Sequence, residues 1–269
     1  MAKFNLSSQL LVYSAKKSVD RIQSINMDIM FGDIQVVSYD KSELSVEVYL
    51  EKPNQYPRYR VDVVQNVDTI QIELKKGNLF FDTFSLVHVC VVVSIPKSYC
   101  NRLNISGTTA NLQMNDIKVS ELRTKLVTGI TSFELVDADS ISVDSVTGNV
   151  NLKELTTNGL FINSKTGAMN VQNVHLRHPQ AYNTIINVAT LSGKLDMSVR
   201  DCYDKIYVNA TTGGITLNLP SDYRFSSNCN SVAGKVKMHS GYNSIADVNN
   251  GRQNEVVVSA VTGSINIYQ

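Results

Sequence analysis

The sequence contains no tryptophan, only 5 prolines among 269 residues, and no run of Ser, Gly or Pro. Without such segments neither a disordered tail nor a flexible linker is indicated, so the chain is expected to be ordered nearly throughout. No apolar stretch approaches the ~20 residues that a membrane-spanning helix needs. The first eight residues, MAKFNLSS, carry one cation but no apolar segment of export-signal length, because Leu10 to Tyr13 is followed at once by Ser14, Lys16 and Lys17. A cytoplasmic location is expected, or a cell-surface association if an export signal or anchor lies outside this sequence.

An excess of either charge is also missing: 25 basic against 24 acidic residues leave a net charge of +1. The basic pairs Lys16-Lys17 and Lys75-Lys76 are too short to follow a phosphate backbone, and no aromatics interleave with them, so nucleic acid is not an expected partner. The four cysteines, Cys90, Cys100, Cys202 and Cys229, show no CxxC spacing. They suggest reduced, partly buried thiols rather than a disulfide framework or a zinc site.

What the sequence has is 43% hydrophobic residues in a repeating pattern. The segments 143–152 (VDSVTGNVNL), 162–171 (INSKTGAMNV), 188–197 (VATLSGKLDM), 208–217 (VNATTGGITL) and 258–267 (VSAVTGSINI) share one motif, with weaker copies at Gly107, Gly129 and Gly234. Two and four residues after Gly148, Gly167, Gly193, Gly213, Gly234 and Gly263 stand apolar side chains, such as Val150 and Leu152 or Ile215 and Leu217. The residue between them is polar in Asn151, Asn170, Asp196, Thr216, Lys237 and Asn266. That is a period of two, a strand with one buried face. Before the Gly, Val143, Ile162, Val188, Val208 and Val258 form a second inward row, so Gly marks a corner between two strands. The Ser/Thr before it (Thr128, Thr147, Thr166, Ser192, Thr212, Thr262) predicts a hydroxyl ladder engaged in turn chemistry with nearby backbone.

Units of about 20 residues cannot bury their own apolar face, but stacked coils can. The expected fold is all-β: a right-handed parallel β-solenoid over 101–269, with inward-facing apolar rows and about seven coils. A β-rich N-terminal region over 1–100 precedes it. There, Ser42 to Glu51, Tyr59 to Val64, Thr69 to Leu74 and Val87 to Ile95 read as strands, with a hairpin turn at Gln65 to Asp68. This region is either an irregular first part of the same coil or an antiparallel cap. The last coil, ending at Ile265 to Gln269, shows no cap, so its edge suggests a weak homo-oligomer.

The Ser/Thr-Gly-x-apolar-polar-apolar copies, the early Gly32-Asp-Ile-Gln-Val36 strand and the apolar run ending in Ile95-Pro96-Lys97 are similar to the DUF4097 family of bacterial, adhesin-like proteins with a β-helical repeat. The resemblance spans roughly Ile25 to the C-terminus. It implies a fold, some membrane-anchored members, and no shared catalytic residues.

His88 and Cys90, two apart in an apolar strand, share a face and are weighed as metal ligands against a packed Cys and a hydrogen-bonded His. His175 and His178 fall in a loop insertion between Gly167 and Gly193. Asp137, Asp139 and Asp144 are closely spaced but read as solvated turn acids, and the outward row holds a single carboxylate, Asp196. No catalytic, cofactor-binding or metal-binding residue is therefore assigned, and no cofactor is expected. A non-enzymatic, adhesin-like interaction or scaffold protein binding protein or glycan is ranked first. A polysaccharide-active β-helix enzyme, with a cleft lined by carboxylates or a carboxylate and a base from adjacent coils, comes second, and a self-assembling structural solenoid third.

Overall fold

A computed structural model describes residues 9–52, 59–76, 88–239 and 254–269. The opening segment MAKFNLSS and Val87 lie outside these residues. The chain is all-β, with no helix among the described residues. Among the described residues nineteen strands join in one sheet that mixes parallel and antiparallel pairing.

The repeat half is built from two long strands, β7 (Arg102–Thr128) and β8 (Thr131–Thr147), followed by short ones in pairs. Its first ladder continues through β10 (Gly159–Thr166), β12 (Ile185–Ser192) and β14 (Lys205–Thr212). The second runs through β9 (Val150–Thr156), β11 (Met169–His175), β13 (Leu195–Val199) and β15 (Ile215–Asn218). All these pairings are parallel and in the register that the motif sets: Val143 faces Ile162, which faces Val188 and in turn Val208. Period-two patterning has its expected consequence, since Val150, Met169, Leu195 and Ile215 are buried while Asn151 and Asn170 are exposed.

The Gly corner works by close approach. Gly148 has φ 144° and Gly167 φ 139°; a Cβ at Gly148 would lie 1.7 Å from the Gly129 carbonyl oxygen, and one at Gly167 2.0 Å from that of Gly148. Only a residue without a side chain lets successive corners nest at strand spacing. Corner closure runs through backbone, as in Gly148 N–H to the Thr166 carbonyl at 2.9 Å. The neighbouring hydroxyls stack in register but largely stay in solvent. Thr262 donates to the Thr211 carbonyl at 3.3 Å, a bond to the stacked neighbour and not within its own turn, so the expected local turn chemistry is not seen there. Gly107 is not a corner either. Its neighbour Ala110 pairs with Gly32 and supplies the carbonyl beneath Gly129, so the repeat there is the regular 19-residue step.

The N-terminal region grows from the same sheet. β2 (Ser24–Tyr39) runs parallel to β7, bends at Gly32 (φ 103°), and pairs in its two halves with β5 (Thr69–Lys76) and β6 (Val89–Pro96). Antiparallel strands then extend each half: β4 (Tyr59–Gln65) on β5, and β3 (Glu43–Leu50) followed by β1 (Leu10–Ser18) on β6. The parallel pairing expected after residue 101 is thus joined to antiparallel pairing in the N-terminal region, and the sheet as a whole is mixed.

The last coils are out of sequence order. β18 (Glu255–Thr262) and β19 (Ile265–Tyr268) sit between β14–β15 and the earlier pair β16 (Ser226–Ala233) and β17 (Val236–His239). The C-terminal strands are therefore flanked on both sides, and the expected open edge at Ile265 to Gln269 does not exist. The end position belongs to β16–β17, whose inward residues are Ser227, Cys229 and Ser231 in one strand and the 40% exposed Val236 and Met238 in the other. Polar and half-exposed side chains there suit a terminal coil with a neighbour on one side only.

Candidate functional site

Strand alternation that buries one row must present another, and stacking turns each presented residue into a ladder. On the second face the outward ladder is Gln35, Gln113, Ser132, Asn151 and Asn170, continued by Asp196, Thr216, Asn266 and Lys237. Asn115, Glu134, Lys153 and Gln172 stand beside it. Over the first five coils these side chains line a groove of about 540 Å³. Its polar groups are mainly carboxamides, with the Ser132 hydroxyl among them, each able to donate and accept, and one carboxylate and one ammonium at the side.

A second groove, about 530 Å³, lies on the outer side of the first face. It gathers Asp28, Glu121, Arg123, Lys125, Asp144 and Phe161 from successive coils. Glu121 lies between two arginines, with Arg102 Nε at 2.6 Å and Arg123 Nε at 2.6 Å. Burial raises the pKa of its carboxyl, but the two hydrogen bonds and the arginine charges outweigh this and hold it below the usual carboxylate range. Asn26 accepts from Ser24 (2.9 Å) and Asn104 (2.7 Å), fixing the amide planes at one end.

The residues singled out in the sequence separate into distinct surroundings. His88 Nε2 lies 2.9 Å from the buried Asp33, which also accepts from Asn111 at 2.9 Å. Cys90 is buried, and desolvation together with the Asp33 charge pushes its thiol up to about 12, so it stays protonated. This is the packed Cys and bonded His reading. No three metal-ligating side chains cluster among the described residues. Asp137 and Asp139 are not turn residues but lie within β8, where the insertion after β11 folds back onto them. Arg177 reaches Asp137 at 2.8 Å and Asp139 at 3.2 Å and donates to the Val119 carbonyl at 3.0 Å, with His178 3.4 Å from Asp139. His175 stands between Asp201 (3.5 Å) and Glu154 (4.0 Å). Asp144, by contrast, lines the first-face groove, and Asp196 lies on the amide ladder.

Of the first-face groove the sequence singles out only Asp144, as one of three closely spaced acids, while Asp28, Glu121, Arg123, Lys125 and Phe161 carry no such mark. Lys125 and Asp144 face each other across adjacent strands although 19 residues separate them. That offset equals the repeat, and it is the signal that could have found the groove.

No helix of the described residues is long and apolar enough to cross a membrane. No curated protein matches the chain. Among solved structures it is similar to a candidate adhesin from Bacteroides fragilis, at 13% identity over 95% of this chain and 96% of that one, with a TM-score of 0.54. It is also similar to a candidate adhesin from Parabacteroides merdae (12% identity, 96% of each chain, TM-score 0.42). A candidate lipid-binding protein from Parabacteroides distasonis is a further match (10% identity, 96% of each chain, TM-score 0.37). The first of these likenesses is one of fold. The profile of the Toastrack (DUF4097) family matches residues 22–268, nearly the whole length, and the chain belongs to that family.

Proposed function

We propose that this chain is a non-enzymatic, adhesin-like recognition protein that holds a polysaccharide along the amide ladder of its second face. In this reading residues 101–269 wind as a right-handed β-solenoid and residues 1–100 form a cap region continuous with it. The observation that carries the proposal is the in-register row Gln35, Gln113, Ser132, Asn151 and Asn170 within one groove. Four carboxamides and one hydroxyl, all able to donate and accept, follow one another there at the ~4.8 Å strand spacing. A single hydrogen bond contributes only about 0.5–1.5 kcal/mol net. Affinity along such a ladder therefore depends on a polymer that engages several rungs at once, and a neutral carboxamide row suits sugar hydroxyls better than phosphate or lipid. The adhesin-like neighbour of similar fold supports recognition at a cell surface over a cytoplasmic role. A glycan array with the purified protein, repeated with an Asn151→Ala/Asn170→Ala variant, tests it. Retention of polysaccharide by the parent and loss by the variant is expected; equal retention by both would remove the ladder from the binding site.

A polysaccharide-active enzyme is the second reading, favoured by the carboxylates and cations from adjacent coils in the first-face groove. Against it, Glu121 is held ionised by Arg102 and Arg123, the opposite of what a general acid needs. Turnover of a polysaccharide that disappears in Asp144→Asn would reverse this ranking.

A further inference from the structure

We infer that the groove on the first face is a separate saccharide site that takes a single neutral pyranose ring against Phe161, independently of the amide ladder. Phe161 points outward from β10 in a row whose nearby members are Asn104, Arg123 and Ser142, and it remains 38% exposed. No other ring covers it among the described residues. Gly159 holds it down: a Cβ there would lie 3.2 Å from Phe161 Cε2, so the ring edge leans over bare backbone instead of projecting into solvent. The result is an apolar plane at the wall of an otherwise polar groove.

Beside it, Lys125 and Asp144 occupy facing positions on adjacent strands, yet neither makes an ion pair or side-chain hydrogen bond with a described residue. Both charges are left to the groove. Ser140 and Ser142 add hydroxyls, and the Ser24–Asn26–Asn104 network presents an oriented carboxamide. A pyranose has the complementary form, with an apolar C–H face for the aromatic plane and a rim of vicinal hydroxyls. Those hydroxyls donate to a carboxylate and accept from an ammonium, in the stronger charge-assisted class of hydrogen bond. Two cations, Arg123 and Lys125, stand against three carboxylates, Asp28, Glu121 and Asp144, so the groove does not favour an anionic ligand. Its volume falls in the range of small-molecule pockets.

The test is isothermal titration and saturation-transfer NMR with the methyl glycosides of glucose, galactose, mannose and N-acetylglucosamine, on the full chain. At least one glycoside is expected to bind, with saturation transferred to its ring C–H protons. Binding should be retained in Phe161→Tyr, weakened at least tenfold in Phe161→Ala and in Asp144→Asn, and unchanged in Asn151→Ala/Asn170→Ala. Circular dichroism and melting of each variant separate a lost site from a lost fold. Failure of all four glycosides to bind, or equal binding by a folded Phe161→Ala variant, overturns the inference. Loss in the Asn151/Asn170 variant alone would place the sugar on the second face, supporting the amide-ladder reading and overturning this one.

Discussion

At Gly148 a methyl group would stand 1.7 Å from the carbonyl oxygen of Gly129, a contact with rigid backbone that no rotamer relieves. Gly148→Ala should therefore destabilise by about 3 kcal/mol or more, combining strain at positive φ with overpacking. Asn170→Asp, exposed on the ladder, should cost under about 1 kcal/mol, the residue of that cost coming from Asp196 directly opposite. Chemical denaturation of both variants checks the contrast. A second row of backbone corners has no glycine: Asp116, Leu135, Glu154 and Asn173 recur every 19 residues at φ between 53° and 57°. Asp and Asn tolerate that conformation, whereas Leu135 does not and is 54% exposed. Leu135→Asn should stabilise by about 0.5–1 kcal/mol, seen as a rise in Tm of roughly 2 °C. The Glu121 carboxyl titrates lower when folded than unfolded, so its contribution is full above the unfolded value of about 4.3 and is lost as pH falls through the folded value. The stability gap between the parent and Glu121→Gln should be constant near neutral pH and close below about pH 4, as melting curves across pH would show.

Among the elements, β18–β19 fills a slot between strands that precede it in sequence. Its inward residues Val256, Val258, Ala260, Ile265 and Ile267 are all buried, because β14–β15 lie on one side and β16–β17 on the other. Ending the chain before residue 254 should remove hydrogen-exchange protection not only from the missing strands but from β16–β17, whose backbone partners are Glu255–Thr262 and Ile265–Tyr268. In coils stacked in sequence order, β16–β17 would keep its protection on β14–β15. Arg177 is the corresponding tie for the insertion after β11. Its side chain is 15% exposed and spans Asp137, Asp139 and the Val119 carbonyl, so Arg177→Ala should cost about 1–3 kcal/mol and raise exchange over 176–184.

For the molecule as a whole, backbone pairing joins each coil only to its neighbours, although side chains such as Arg177 and Tyr203 reach further, and a lesion in the core should spread along the stack instead of remaining a point defect. Val150→Asp would place an unpartnered charge between Thr131 and Met169, both buried. Hydrogen exchange should then show β8, β9 and β11 opening together, with the effect fading through β14–β15 and least at β16–β17. The N-terminal edges carry their own protection: β1 is bulged between Leu11 and Tyr13 and bears Lys16 and Lys17, and β4 bears Arg60 and Asp62. Such features discourage edge pairing between copies.

The sequence by itself determined the strands, the inward rows and the Gly corners after residue 128, because each depends on neighbours within one motif and on a period of two. It also determined the alternation that leaves Asn151 and Asn170 in solvent. Only the tertiary structure decided what depends on which coil lies beside which: the insertion of β18–β19 before β16–β17, the antiparallel pairing of β3 with β6 and of β1 with β3, and the removal of Gly107 from the corner row in favour of Ala110. The same holds for both grooves. Phe161, Lys125 and Asp144 carry no local pattern that separates them from ordinary outward residues, and they meet because stacking converts a 19-residue offset in sequence into one strand spacing in space.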